Sequence, residues 1–260
     1  MDKQNSFQVQ PFFAEREAWA ALAGRENLQF EILELSGPSV LGKSRRPENC
    51  YIEWLQENSL VRSLHGCYID VNPASGDILF QELSRLRIKE SCDIALQLNA
   101  DNVVIHSSCA TFLRGGYLDH WAAVSAEYFE GLAEEYPLNI FIENSMDIDT
   151  TPLMELMKHI KNPRIGVCLD IGHANYSRDP LEKWFSDLGD YIGYIHLSDN
   201  MGFFDDHLPL GKGKVDWDKT DRFCRGLGKN LIYTLETGSL EDTERSIRFL
   251  KDRGYFEMEG

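Results

Sequence analysis

The sequence predicts an α/β protein folded as a single (β/α)8 barrel over residues 1–260. Three observations carry this expectation. Short runs of β-branched and aromatic residues occur eight times, each followed by a longer segment with apolar positions at helical spacing. The runs recur about every 32 residues, the spacing such a barrel requires. No Pro/Gly/Ser-rich linker divides the chain, and no G-x-G-x-x-G or G-x-x-x-x-G-K-[ST] phosphate loop follows any run, which weakens a doubly wound open sheet.

Taken in order, the predicted strands are Phe7–Gln10, Phe30–Leu35, Val61–Ile69, Asn102–Ser107, Asn139–Asn144, Ile165–Asp170, Ile192–Leu197 and Leu231–Glu236. The first is short and has the weakest signal. Runs such as Val103-Val104-Ile105 and Ile140-Phe141-Ile142 are nearly continuous in apolar residues, as suits parallel strands covered on both faces. The intervening helices are expected at Glu15–Leu22, Glu48–Glu57, Ile78–Leu98, Asp119–Tyr136, Pro152–Ile160, Leu181–Leu188, Asp218–Leu227 and Leu240–Arg253. Asp149-Thr150-Thr151-Pro152 and Asp179-Pro180 supply start signals, a capping residue ahead of a proline suited to the first turn. Strand–helix alternation implies parallel crossovers.

Composition narrows the function classes. The 42 Asp+Glu against 26 Lys+Arg leave a formal charge of −16 and a pI near 4.8. This disfavours a broad electrostatic grip on nucleic acid without excluding a local basic patch. The start, MDKQNSFQVQPFF, lacks a basic region followed by an apolar run, and no 18-residue uncharged apolar stretch occurs. A cytoplasmic protein without a membrane span is expected. The six cysteines (Cys50, Cys67, Cys92, Cys109, Cys168 and Cys224) are scattered with no Cys-x-x-Cys pair and read as reduced, small apolar packing groups. Nothing identifies an interface, although barrel exteriors that pair leave a homodimer open.

The informative residues stand at the strand ends. His65, His106, Glu143, Asp170, His196 and Glu236 each close one of the predicted strands. A parallel barrel gathers all C-terminal strand ends at one mouth, so these six become neighbours. Asp170-Ile171-Gly172-His173 and Asp205-Asp206-His207, read as short loops, add candidates there. Any one of them alone reads as a hydrogen-bonded core histidine or a capping carboxylate. Five of the seven histidines share the pattern, however, while His120 and His159 fall in predicted helices and are expected to face solvent. Carboxylates crowded in one cleft repel unless a divalent cation compensates them. Mixed imidazole and carboxylate ligation suits Zn²⁺, Mn²⁺ or Fe²⁺ better than Ca²⁺ or Mg²⁺.

From Val61 to Ser239 the sequence resembles the xylose-isomerase-like superfamily of barrels, which includes sugar and sugar-phosphate isomerases and epimerases and the endonuclease IV type of AP endonuclease. The resemblance rests on His65-Gly66-Cys67-Tyr68, Val104-Ile105-His106, Phe141-Ile142-Glu143-Asn144, Val167-Cys168-Leu169-Asp170-Ile171-Gly172-His173, Tyr194-Ile195-His196-Leu197-Ser198-Asp199, the stretch DDHLPLGKGKVDW from Asp205 to Trp217, and Leu235-Glu236-Thr237. For the isomerase branch it implies one divalent metal on Glu143, Asp170, His196 and Glu236. For the endonuclease branch it implies three zinc ions on those four plus His65, His106, His173, Asp205 and His207. All nine positions are filled, which favours more than one ion.

Other features separate the branches. The glycine-rich loop of the endonucleases after Glu143-Asn144 is replaced by Ser145-Met146-Asp147-Ile148-Asp149, whose two acids would face a phosphate backbone. Cationic candidates for binding substrate are Arg114 in Arg114-Gly115-Gly116-Tyr117, Lys212 in Leu210-Gly211-Lys212-Gly213, and the stretch Lys43-Ser44-Arg45-Arg46. A small sugar or sugar-phosphate substrate is therefore favoured over DNA. The leading expectation is an isomerase or epimerase using one to three Zn²⁺ or Mn²⁺ ions. Glu143 and Glu236 form its acid/base pair across an enediolate, and His173 positions substrate oxygens. The alternatives are a multinuclear zinc phosphodiesterase and a barrel that binds metal or sugar without turnover.

Overall fold

The computed structural model describes residues 5–41, 49–113 and 115–258. Eight strands close into a parallel barrel in sequence order: β1 (Ser6–Val9), β2 (Gln29–Ile32), β3 (Val61–His65), β4 (Asn102–His106), β5 (Asn139–Glu143), β6 (Ile165–Asp170), β7 (Ile192–Leu197) and β8 (Ile232–Leu235), with β8 pairing back onto β1. The helices are α1 (Arg16–Glu26), α2 (Pro38–Leu41), α3 (Asn49–Asn58), α4 (Ile78–Gln97), α5 (Tyr117–Glu135), α6 (Thr151–Met157), α7 (Ile171–Tyr176), α8 (Leu181–Leu188), α9 (Trp217–Gly226) and α10 (Leu240–Arg253). The expected (β/α)8 barrel is the fold, and β6, β7, α8 and α10 have the bounds the sequence predicts.

Three local expectations are corrected. Asp170–His173 is not a loop: α7 begins directly after β6 because the Asp170 carboxylate accepts the His173 N–H and caps it. β3 stops at His65, four residues before its predicted end: Gly66 N–H still bonds the Val104 carbonyl of β4, but Cys67 N–H turns away to Ser91 Oγ on α4 at 3.1 Å. His159 lies in the turn just beyond α6, still exposed, while His120 is exposed on α5 as expected.

Helix ends follow side-chain chemistry. Asp77, Asp216 and Ser239 cap α4, α9 and α10 by accepting backbone N–H bonds from their first turns. The main core lies between the sheet and the helices and includes Phe30, Ile105, Ile140, Leu169, Trp19, Trp121, Phe129 and Trp184. Inside the barrel the apolar content is small. Val104, Cys168 and Tyr194, with Phe141 and Ile232, form a separate cluster. The other inward positions are polar and buried, among them Gln8, Glu31, Ser63, Asn102 and Thr234. The strands thus alternate apolar outside and polar inside more strictly than their apolar runs imply.

The Phe141 ring fills the lumen because two neighbours have no side chain. A Cβ at Gly193 would stand 2.8 Å from Phe141 Cε1, and one at Gly166 would stand 3.3 Å from the same ring and 3.0 Å from the Tyr191 carbonyl oxygen. Gly193→Ala should therefore destabilise the barrel by about 1–3 kcal/mol through overpacking. Thermal melts should show a drop of several degrees, partly restored by Phe141→Leu. An unchanged melting point for Gly193→Ala would mean that the ring yields freely.

Candidate metal centre

Each strand delivers a polar side chain to the C-terminal mouth, because its last inward-facing position falls there. His65, His106, Glu143, Asp170 and His196 are inward residues at or near the ends of β3, β4, β5, β6 and β7, and Glu236 follows β8. Glu143, Asp170 and His196 are fully inaccessible, and Glu236, His65 and His173 nearly so. Around Glu143 Oε2 lie His65 Nε2 at 3.3 Å, His106 Nε2 at 3.5 Å and His196 Nδ1 at 3.6 Å. His196 Nδ1 is also 3.4 Å from Glu236 Oε1 and 4.0 Å from Asp170 Oδ2. His173 Nδ1 is 3.2 Å from Glu143 Oε1, its Nε2 is 3.3 Å from Asp205 Oδ2, and His207 Nε2 is 2.9 Å from that same oxygen. All nine candidate ligands thus form one connected set, with Asp205 and His207 at its more exposed rim.

Among the nine candidates, two compact groups share Glu143, and a third joins it to His196 and the buried Cys168. His65, His106 and Glu143 form the first; Glu143, Asp170, His196 and Glu236 form the second, with one donor atom per residue lying within 4.8 Å of the rest. Among the described residues, both Glu143 oxygens, Asp170 Oδ2 and His196 Nδ1 are buried without a hydrogen-bond partner. Buried polar atoms are rarely left so, and these orphans converge on a common space. That donor set fits a divalent ion.

The histidines are aimed by their opposite nitrogens. His65 Nδ1 is 3.0 Å from the Gly66 carbonyl oxygen and His173 Nδ1 is 2.7 Å from that of Asn144. Carbonyls only accept, so each Nδ1 carries a proton and each Nε2 is left as the donor atom for a ligand. Asn144 also fixes Asp170, accepting its N–H at 2.7 Å and donating to its carbonyl at 3.1 Å.

Burial and the neighbouring charges pull these groups in opposite directions. Burial raises the Asp170 carboxyl to about 7, with the Glu236 and Glu143 charges acting in the same direction. Burial opposes charge on His65, yet Glu143, Glu31 and Glu236 carry its pKa up to about 9. Burial lowers His106 to about 4, Glu143 notwithstanding. Glu143 is held well below the ordinary carboxyl range despite burial, because His106, His196 and His173 surround it.

The loop that carries Asp205 and His207 folds back over the mouth around Asp199. This buried carboxylate accepts the N–H groups of Asn200 (2.9 Å), Gly211 (2.9 Å) and Val215 (3.1 Å) and the Trp217 indole N–H (3.0 Å). Gly213 is required at this crossing, since a Cβ there would lie 2.2 Å from Asp199 Oδ1 and 2.3 Å from the Asn200 carbonyl oxygen. Lys212 is exposed on the same loop and, among the described residues, forms no ion pair. Arg114 and Lys43-Ser44-Arg45-Arg46 lie outside the described residues. A cleft of about 600 Å³ at the opposite end of the barrel, lined by Asn5, Phe7, Arg25, Gln29 and Lys251, contains none of the nine candidates.

The sequence reading missed Gln10 and Glu31, which complete the ring from β1 and β2. The available signal was the alternation Phe30-Glu31-Ile32, which places a charged residue inward between two outward apolar ones.

Fold and site together define a (β/α)8 barrel with a candidate divalent-metal centre at its mouth. The chain belongs to the xylose isomerase-like TIM barrel family, whose model matches residues 49–253. An uncharacterised protein of Methanocaldococcus jannaschii is 28% identical over 201 residues, covering 73% of this chain and 68% of that protein. Fructoselysine 3-epimerase of Escherichia coli is 26% identical over 156 residues, covering 55% of each. Among solved structures, a D-tagatose 3-epimerase-like protein superposes with a TM-score of 0.78 at 24% identity, covering 95% of this chain and 96% of the other. A Thermus thermophilus protein soaked with zinc chloride gives 0.78 at 22% identity, covering 95% and 97%. The two structural likenesses show a shared fold. No described helix is long and apolar enough to cross a membrane.

Near the site, Asp147 is buried with Oδ2 accepting from Ser107 Oγ at 2.5 Å and Ser145 N at 3.1 Å. Burial raises its carboxyl from the ordinary 3.8 to about 7. Between those values the folded protein keeps a proton that the unfolded chain has released, so this group lowers stability as pH rises through the window. The melting temperature of Asp147→Asn relative to wild type should therefore increase from pH 4 to pH 8. A difference constant over that range would contradict the burial of this carboxyl.

Proposed function

We propose that the protein is a divalent-metal-dependent sugar or sugar-phosphate isomerase or epimerase. The observation that carries this reading is the convergence of Glu143, Asp170, His196 and Glu236, with unpartnered buried donor atoms, at the mouth of a barrel of this family. The sugar-epimerase relative supports the reaction class.

These four residues would hold the ion, here Zn²⁺ or Mn²⁺. When bound, it supplies Lewis-acid polarisation of a carbonyl and its adjacent hydroxyl, which acidifies the intervening C–H and favours an enediolate. Glu143 and Glu236 come from β5 and β8, so their carboxylates reach the reacting carbon from different sides. One takes the α-proton and the other returns a proton to the opposite face. His173, held by the Asn144 carbonyl, presents Nε2 to substrate oxygens. Lys212, exposed on the loop after Asp205 and His207, would meet an anionic group on the substrate.

A second reading is favoured by one observation: His65 and His106 form a further ligand group on Glu143. With His173, Asp205 and His207 this gives room for two or three zinc ions, as a phosphodiesterase would use. The expectation that Asp147 faces a phosphate backbone is corrected: its carboxylate is buried on Ser107 and Ser145.

Incubating the zinc- or manganese-loaded protein with ketoses and their phosphates in D2O should give epimerised or isomerised product carrying deuterium at the reacting carbon. Glu143→Gln and Glu236→Gln should each lower kcat by about 10²–10⁴-fold, the usual worth of a general acid or base. Turnover without C–H exchange would refute proton transfer. Cleavage of abasic-site duplex DNA at low salt, with three equivalents of zinc per chain, would establish the phosphodiesterase instead.

A further inference from the structure

Glu31 lies on β2, fully buried, and none of the nine candidate ligands explains its presence. By proximity alone it groups with His65, His196 and Glu236. Its oxygens are already committed, however. Oε1 accepts Gln10 Nε2 at 2.8 Å. Oε2 accepts the Thr234 hydroxyl at 3.1 Å, the Tyr194 hydroxyl in a short contact, and His196 Nε2 at 3.1 Å. Tyr194 and Thr234 stand two residues before His196 and Glu236, so they form the inward layer directly beneath those two ligands. Gln10 Nε2 makes a second, short contact to Glu236 Oε1.

We propose that Glu31 is the positioning residue of the metal centre. It accepts a hydrogen bond from His196 Nε2–H, which keeps the proton on that nitrogen so that Nδ1 faces the ion, and through Gln10 it sets the direction of the Glu236 carboxylate. The inference rests on the reading of His196 and Glu236 as metal ligands and adds the group that orients both. Carboxylate acceptors behind a ligating imidazole fix its tautomer and ring orientation, and their loss typically weakens metal binding about 10–100-fold. The reach of Glu31 is wider than a single imidazole: one buried carboxylate governs a ligand on β7 and another beyond β8. The single amide oxygen of Glu31→Gln can accept either from His196, Thr234 and Tyr194 or from Gln10, but not from both sets, and its –NH2 must face a donor on the other side.

The test uses the full chain and the metals alone. Zn²⁺ and Mn²⁺ affinities of wild type and Glu31→Gln are measured by competition with a chelator, with circular dichroism confirming that the variant folds. A 10–100-fold loss in the folded variant supports the proposal; an affinity within twofold of wild type overturns it. Independently of any variant at Glu31, ¹⁵N-detected imidazole spectra of the zinc-loaded wild type report the His196 tautomer, assigned by its loss in His196→Asn. A proton on Nε2 with Nδ1 bound is expected, and a proton on Nδ1 overturns the proposal even where Glu31→Gln does not fold. Wild type that takes up neither ion would refute the metal reading itself, and Glu31 with it. Loss confined to the variant, or absence of loss, bears on Glu31 alone.

Discussion

The rest of this molecule is arranged around the burial of like charges at one end of a barrel. Glu31, Glu143, Asp170 and Glu236 are each almost or wholly inaccessible, and each lies within 4.0 Å of His196. Taking a charge out of water without a partner costs several kcal/mol. The barrel accommodates this by neutralising inward, with histidines between the acids and donor atoms converging on a space that suits a cation. A closed parallel sheet is well suited to the purpose because its eight strand ends form a ring, and here each one contributes a polar side chain.

This use of the lumen shifts the burden of stability outward. The interior apolar cluster is little more than Val104, Cys168, Tyr194, Phe141 and Ile232, while the large core lies between the sheet and its helices. Barrels of this architecture ordinarily pack their interiors with branched apolar layers. In this chain the upper interior layers belong to Gln10, Glu31, Thr234 and the ligand ring, and the apolar filling is confined to a narrow band below. The outer core can hold the barrel while the inner layers are optimised for polar geometry.

The supports of the site are themselves polar and serve two roles each. Asp170 is a candidate ligand through Oδ2 and the cap of α7 through Oδ1, which fixes His173 one turn away. Asn144 binds both the backbone of Asp170 and the ring of His173. Asp199 gathers three backbone N–H groups and an indole, so the segment bearing Asp205 and His207 is anchored although those two side chains are partly exposed. The acidity of the chain is compatible with all of this: the acids at the mouth are engaged with histidines, and most of the −16 belongs to the outer surface.

The sequence by itself determined the strand–helix alternation, the closed barrel it implies and the six ligand candidates at strand ends. Those features rest on local periodicity and on a topology that gathers strand ends whatever the loops do. The tertiary structure alone decided the rest. Glu31 was hidden because its partners Tyr194, His196 and Thr234 lie 163, 165 and 203 positions away, and Gln10 meets Glu236 across 226 positions. The register that turns Glu31 inward depends on a shift in pairing between Phe30 and Glu31 against β3. The nitrogen that His173 and His196 offer and the anchoring of the last loop on Asp199 were settled the same way. Each is a hydrogen bond between groups that no local pattern pairs, and becomes definite only when the fold brings them to bonding distance.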